Sequence, residues 1–77
     1  MKLSVAIVQR INELMKKQNK TAYKVYIESA VPKTTLYDTL SGVKKRVSVA
    51  MLYDICLSLE ITLSEFFNSP LFDNIDD

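Results

Sequence analysis

Thr21-Ala22-Tyr23-Lys24-Val25-Tyr26-Ile27-Glu28-Ser29-Ala30-Val31-Pro32-Lys33-Thr34-Thr35-Leu36-Tyr37-Asp38-Thr39-Leu40-Ser41-Gly42 is the stretch whose reading decides the fold. Thr21 is a helix N-cap residue, because its hydroxyl can accept from a backbone N–H of the first turn. Behind it Ala22, Val25, Tyr26 and Ser29 fall along one side of a helix predicted over 21–29. Ala30-Val31-Pro32 interrupts that helix, and proline suits the entrance of the next one, where its missing N–H costs nothing. The next helix is predicted over 33–41, with Leu36 and Leu40 as an apolar pair one turn apart and Gly42 placed as a C-cap glycine. Two short helices joined by so tight a break have the dimensions of a helix-turn-helix. In that unit the second helix is the one presented to the DNA major groove.

Outward from this stretch the chain stays helical. A first helix is expected over 4–17, capped by Ser4, with Ile7, Ile11, Leu14 and Met15 on one face and Lys16-Lys17 complementing its C-terminal dipole. Gln18-Asn19-Lys20 reads as a turn. Beyond Gly42, Val43-Lys44-Lys45-Arg46-Val47 is a basic loop. A fourth helix follows over 48–59, capped by Ser48, with Val49, Leu52, Ile55, Cys56 and Leu59 expected inward. Thr62-Leu63-Ser64-Glu65 has the form of a capping box, in which Thr and Glu satisfy each other's helix-end donors. It opens a short fifth helix over 62–68 carrying Phe66 and Phe67. No window alternates with period two. The expected architecture is all-α with five helices, a helix-turn-helix domain over 1–69 and a C-terminal tail over 70–77.

The chain has 77 residues, which suits one small domain. A domain of this size buries only about 60% of the surface of its unfolded chain, so a lone monomer has little stability in hand. The single Cys excludes an intrachain disulfide, and without His or a Cys pair no zinc cluster can be written. No nucleophile–base pairing stands out, no cofactor is implied, and an enzyme is not expected. The apolar run Leu3–Val8 is shorter than a signal-peptide core, and nothing approaches the ~20 apolar residues of a membrane span. With the unpaired Cys, this reads as a soluble, cytoplasmic chain.

The net charge of +1 conceals a strong asymmetry. Residues 1–48 hold all ten basic residues and three acids, a balance of +7, whereas residues 49–77 hold six acids and no base, a balance of −6. Such segregation points to a polyanion partner at the basic end, although solvated charges could also segregate by chance. With Leu36 and Leu40 inward, Lys33, Thr34, Tyr37 and Asp38 are left facing out. Lys can donate to guanine, the Thr methyl can pack on thymine, and a carboxylate can accept from cytosine N4. Thr35, in the first turn, suits a phosphate. Lys44-Lys45-Arg46, directly after the candidate groove helix, suits phosphates as well.

Residues from about Ile7 to Phe67 resemble the helix-turn-helix domain shared by lambda-type phage repressors, Cro proteins and the bacterial regulators of the xenobiotic-response-element (XRE) type. The resemblance rests on Arg10-Ile11-Asn12-Glu13-Leu14-Met15, on Thr21-Ala22-Tyr23-Lys24-Val25, on Val31-Pro32-Lys33-Thr34-Thr35-Leu36-Tyr37-Asp38 through Gly42, and on Leu52-Tyr53-Asp54-Ile55-Cys56 through Ile61-Thr62-Leu63-Ser64-Glu65-Phe66-Phe67. It implies a DNA-binding transcriptional regulator, a repressor in this reading, acting as a homodimer on a double-stranded operator. It also implies base contacts from Lys33, Thr34 and Asp38 and phosphate contacts from Lys20, Thr21, Lys44, Lys45 and Arg46. Phe66, Phe67, Leu71, Phe72 and Ile75 could close the small core; they are also numerous for a surface end, and Phe67, Leu71, Phe72 and Ile75 are the expected dimer interface. The sequence departs from the family pattern at Ala30 and Glu60, where glycine is usual, at Tyr26, where a small residue usually stands, and at Ala22, where a polar residue often touches phosphate. These departures keep a competing reading open, that of an antitoxin-like or antirepressor-like interaction module that retains the fold without binding DNA.

Overall fold

The computed structural model describes residues 1–43 and 46–76. Within them lie α1 (Leu3–Gln18), α2 (Ala22–Glu28), α3 (Lys33–Leu40), α4 (Val49–Ser58) and α5 (Leu63–Phe67), followed by a single 3-10 turn, Pro70–Phe72. The five-helix, all-α expectation holds, and there is no strand among the described residues. Each expected boundary lies within about a residue of the observed one because the capping residues act as read. Thr21 accepts from the Lys24 N–H, Ser48 from the Met51 N–H and Thr62 from the Glu65 N–H, while Glu65 returns a carboxylate to the Thr62 N–H. Gly42 takes φ +83° just beyond α3, where an L side chain would be strained.

Two expectations need correction. Ser4 does not cap α1: the helix starts at Leu3, with Lys2 extended in front of it and no side-chain cap. The entry is fixed from outside instead, because the α-amino group of Met1 pairs with Asp76 at 3.0 Å and donates to the Asn74 carbonyl. Val49 does not face inward and is 67% exposed. At 100° per residue it sits about 120° around the helix from Ile55, the centre of the buried side.

The core is one cluster drawn from every helix. Ile7, Ile11 and Leu14 of α1 meet Val25, Leu36, Leu52, Ile55, Leu59 and Phe66, all buried. Thr39 is buried too, and its hydroxyl is satisfied by donating to the Thr35 carbonyl one turn back. Long side chains tie the elements together at their ends. Arg10 of α1 donates to the carbonyls of Phe66 and Glu65, closing the C-terminal end of α5, and pairs with Glu13. Gln18 donates to the Leu59 carbonyl at 2.7 Å beyond α4. The result holds α2 and α3 as a fixed pair on a scaffold of α1, α4 and α5.

Candidate nucleic-acid interface

The helix-turn-helix begins with the α2–α3 connection. Ser29 is extended (φ −104°, ψ 165°), its hydroxyl accepts from the Val31 N–H, and Val31 is buried as the turn's apolar anchor. Ala30 is not left-handed: among the described residues the non-glycine positions with positive φ are Asn19 and Glu60. The turn is therefore built without the backbone geometry that would demand glycine at position 30. Tyr26 is half-buried against the core, with its ring centroid 6.0 Å from that of Tyr23. The phenol is thus accommodated where the family pattern has a small residue.

On α3 the burial pattern divides the helix cleanly. Leu36 and Thr39 are buried and Leu40 is half-buried, whereas Lys33, Thr34, Tyr37 and Asp38 are all exposed. These four present an ammonium, a methyl-bearing hydroxyl, a phenol and a carboxylate on one outward surface. Thr35 is half-buried and lines an open groove with Pro32, Arg46, Val47, Ser48 and Asp54. Arg46 is exposed there. Sequence analysis gives Ser48 only as a helix cap and assigns Asp54 no role at a site. The position of Ser48 directly after the basic loop was the available signal. Lys44 and Lys45 lie outside the described residues.

Thr21 and Lys20 divide in the structure. Thr21 is exposed, and although its oxygen accepts from the Lys24 N–H, its own O–H remains available as a donor. Lys20 is turned inward. Its ammonium bonds to Glu28 at 2.9 Å and to the carbonyl of Ser58 at the end of α4, and its side chain is only 18% exposed. Helix C-terminal carbonyls attract cations, and Glu28 completes the site. Lys20 therefore locks α2 to α4 and does not reach outward for phosphate. Its hydrogen bond, with the charges of Lys20 and Lys24 added, holds the Glu28 carboxyl below its ordinary value of 4.5. The expected dimer residues also have an internal use: Phe72 packs on the core, Leu71 and Ile75 are half-buried, and only Phe67 is exposed, at 41%. The rings of Phe66, Phe67 and Phe72 form one aromatic cluster, with Phe67 and Phe72 4.9 Å apart.

Among the described residues no group of three or more His, Cys, Asp or Glu is placed to hold a metal ion, and no helix is long and apolar enough to cross a membrane. Residues 10–70 match the Cro/C1-type HTH DNA-binding domain. The chain belongs to that family, and with it to the DNA-binding helix-turn-helix regulators. The crystal structure of the prophage Lp1 protein 11 is similar over 97% of this chain and 100% of that one, with a TM-score of 0.83 and 24% identity. That likeness establishes the fold. No curated protein matches the chain.

Proposed function

We propose that this protein is a sequence-specific transcriptional repressor that acts as a homodimer on a pseudo-palindromic double-stranded operator, with α3 in the major groove. The observation that carries the reading is the outward surface of α3. Lys33, Thr34, Tyr37 and Asp38 are exposed together, and among the described residues none of their side chains has an intramolecular hydrogen bond or ion pair. Polar groups left unpaired on a rigid helix are free to exchange water for base edges. Lys33 and Asp38 read guanine and cytosine, Thr34 and Tyr37 meet thymine methyls and neighbouring edges, and Thr21, Thr35, Lys44, Lys45 and Arg46 hold phosphates.

The test is binding to DNA from upstream of the protein's own gene, with every base pair of the bound site varied in turn. Lys33→Ala and Asp38→Ala should each relax discrimination at particular positions, by about 1–3 kcal/mol per base pair. Arg46→Ala should weaken all sequences alike and reduce the log–log salt slope by about 0.9. Uniform losses from Lys33→Ala and Asp38→Ala would remove α3 from the groove. An absence of salt-dependent retention on DNA would favour the interaction-module reading.

A further inference from the structure

The open groove between α3 and α4 is where the basic and acidic halves of the chain meet. Arg46, the last base of the sequence, and Asp54, the first acid after it, line that groove together. They do not pair. Among the described residues the carboxylate of half-buried Asp54 has neither an ion pair nor a hydrogen bond within the protein. Two hydroxyls share the lining. That of Thr35 is unbonded, and Ser48 accepts from the Met51 N–H while its own O–H remains a free donor.

We infer that Asp54 is a counter-charge that limits how strongly this groove holds DNA phosphates, and so sets the sequence-independent part of the affinity. This rests on the DNA-binding reading above. Every duplex presents phosphates whatever its sequence, and Thr35, Ser48 and Arg46 can donate to them. A carboxylate among these donors repels the same phosphates, and no internal partner neutralises it. The described lining thus carries one cation and one anion, and its formal charge cancels. Other acids of the chain are committed elsewhere: Glu28 to Lys20, Glu13 to Arg10. Asp38 is unpaired too, but it stands on the outward surface of α3, where a base edge can use it as an acceptor. Asp54 stands on α4 among the phosphate donors instead. Its repulsion falls on cognate and non-cognate duplexes alike. The ratio between them is therefore kept, while less of the protein is held on the many non-cognate sites of a genome.

Asp54→Asn removes the charge with little change of shape, and Asp54→Lys reverses it. Binding of the whole chain to its bound-site duplex and to a scrambled duplex, across a salt series, tests the inference. At about 50 mM salt Asp54→Asn should tighten both duplexes roughly three- to tenfold. The log–log salt slope should steepen by up to about 0.9, and the gain should fade as salt rises. Asp54→Lys should exceed Asp54→Asn on both counts. Helical circular dichroism should be unchanged in both variants, since the carboxylate has no partner to lose. Asp73→Asn, an exposed acid of the tail outside the groove, should change affinity by less than about twofold. An Asp54→Asn variant that binds as the unmodified chain does overturns the inference, because the carboxylate then lies outside the phosphate field. Weaker binding overturns it as well, because Asp54 then orients Arg46 for its phosphate. So does a gain confined to particular base pairs, which would make Asp54 a base reader. DNA held without sequence preference, yet tightened by Asp54→Asn, would sink the repressor reading and leave the counter-charge standing. Sequence-specific binding indifferent to Asp54 would do the reverse. No binding by the unmodified chain or either variant would overturn both.

Discussion

Glu60 and Ala30 look alike in the sequence, since each stands where glycine is usual, and the structure separates them. Glu60 takes φ +58° just past α4, so its Cβ crowds the backbone, a cost of about 1–2 kcal/mol. Ala30 has no positive φ and carries no such strain. Glu60→Gly should therefore raise the unfolding free energy by up to about 1 kcal/mol, once the extra freedom of glycine in the unfolded chain is deducted. Ala30→Gly should lower it by about 0.4–1 kcal/mol through that unfolded-state effect alone. Urea denaturation of the two variants side by side distinguishes them by sign, and equal signs would refute the assigned backbone geometry. One residue name cannot show which region of φ/ψ space a turn uses, so this distinction was not legible in advance. Glu28 carries a second prediction. Its carboxyl is held below 4.5 chiefly by the Lys20 hydrogen bond, so the stabilisation is present above the unfolded value and is lost as pH falls through the folded one. In a carboxyl NMR titration Lys20→Met should move the Glu28 midpoint back up towards 4.5, and an unmoved midpoint would dissociate Lys20 from Glu28.

At the scale of elements, what could be read in the sequence was whatever depends on neighbours a few residues apart. The capping residues Thr21, Ser48 and Thr62 and the terminating Gly42 each act within one turn, and the boundaries they set are the ones observed. Contacts between distant segments were hidden. Arg10 reaches Phe66 across 56 positions and Lys20 reaches Ser58 across 38, and no local pattern announces either. For that reason the sequence offers Lys20 as a phosphate ligand, and it does not show that the tail packs over α1. The same division bears on α5, whose five residues are too few to be helical alone. It persists because the capping box closes its start and Arg10 its end. Thr62→Ala should cost about 1 kcal/mol of global stability. In hydrogen exchange it should release the amides of α5 and the 70–76 strap before those of α1, and simultaneous release would show that α5 does not open independently.

At the scale of the whole molecule, one thiol reports on everything at once. Cys56 is 1% exposed in a core to which all five helices contribute, and burial pushes its thiol up to about 11 despite the nearby Arg10 charge. In the unfolded chain the thiol titrates at its ordinary value of 9.0. The folded group is thus the weaker acid. Its contribution is intact below pH 9 and falls away as pH rises through the interval up to 11, where the unfolded state has already shed its proton. At pH 8 a disulfide reagent should find almost no thiolate in the folded protein and should label Cys56 only through opening. For a domain this small the opening equilibrium suppresses labelling by roughly 10³-fold or somewhat more relative to the urea-unfolded chain. On the proposed function operator DNA binds only the folded state, so at a free concentration 100 times its dissociation constant it should slow labelling about a hundredfold further. A non-cognate duplex at the same concentration and moderate salt should slow it far less, because only the salt-sensitive phosphate contacts remain. Labelling that DNA leaves unchanged would mean that binding is not coupled to the folded core. Equal slowing by both duplexes would mean that α3 holds phosphates without reading bases. The buried thiol thereby measures stability, operator binding and specificity by one rate.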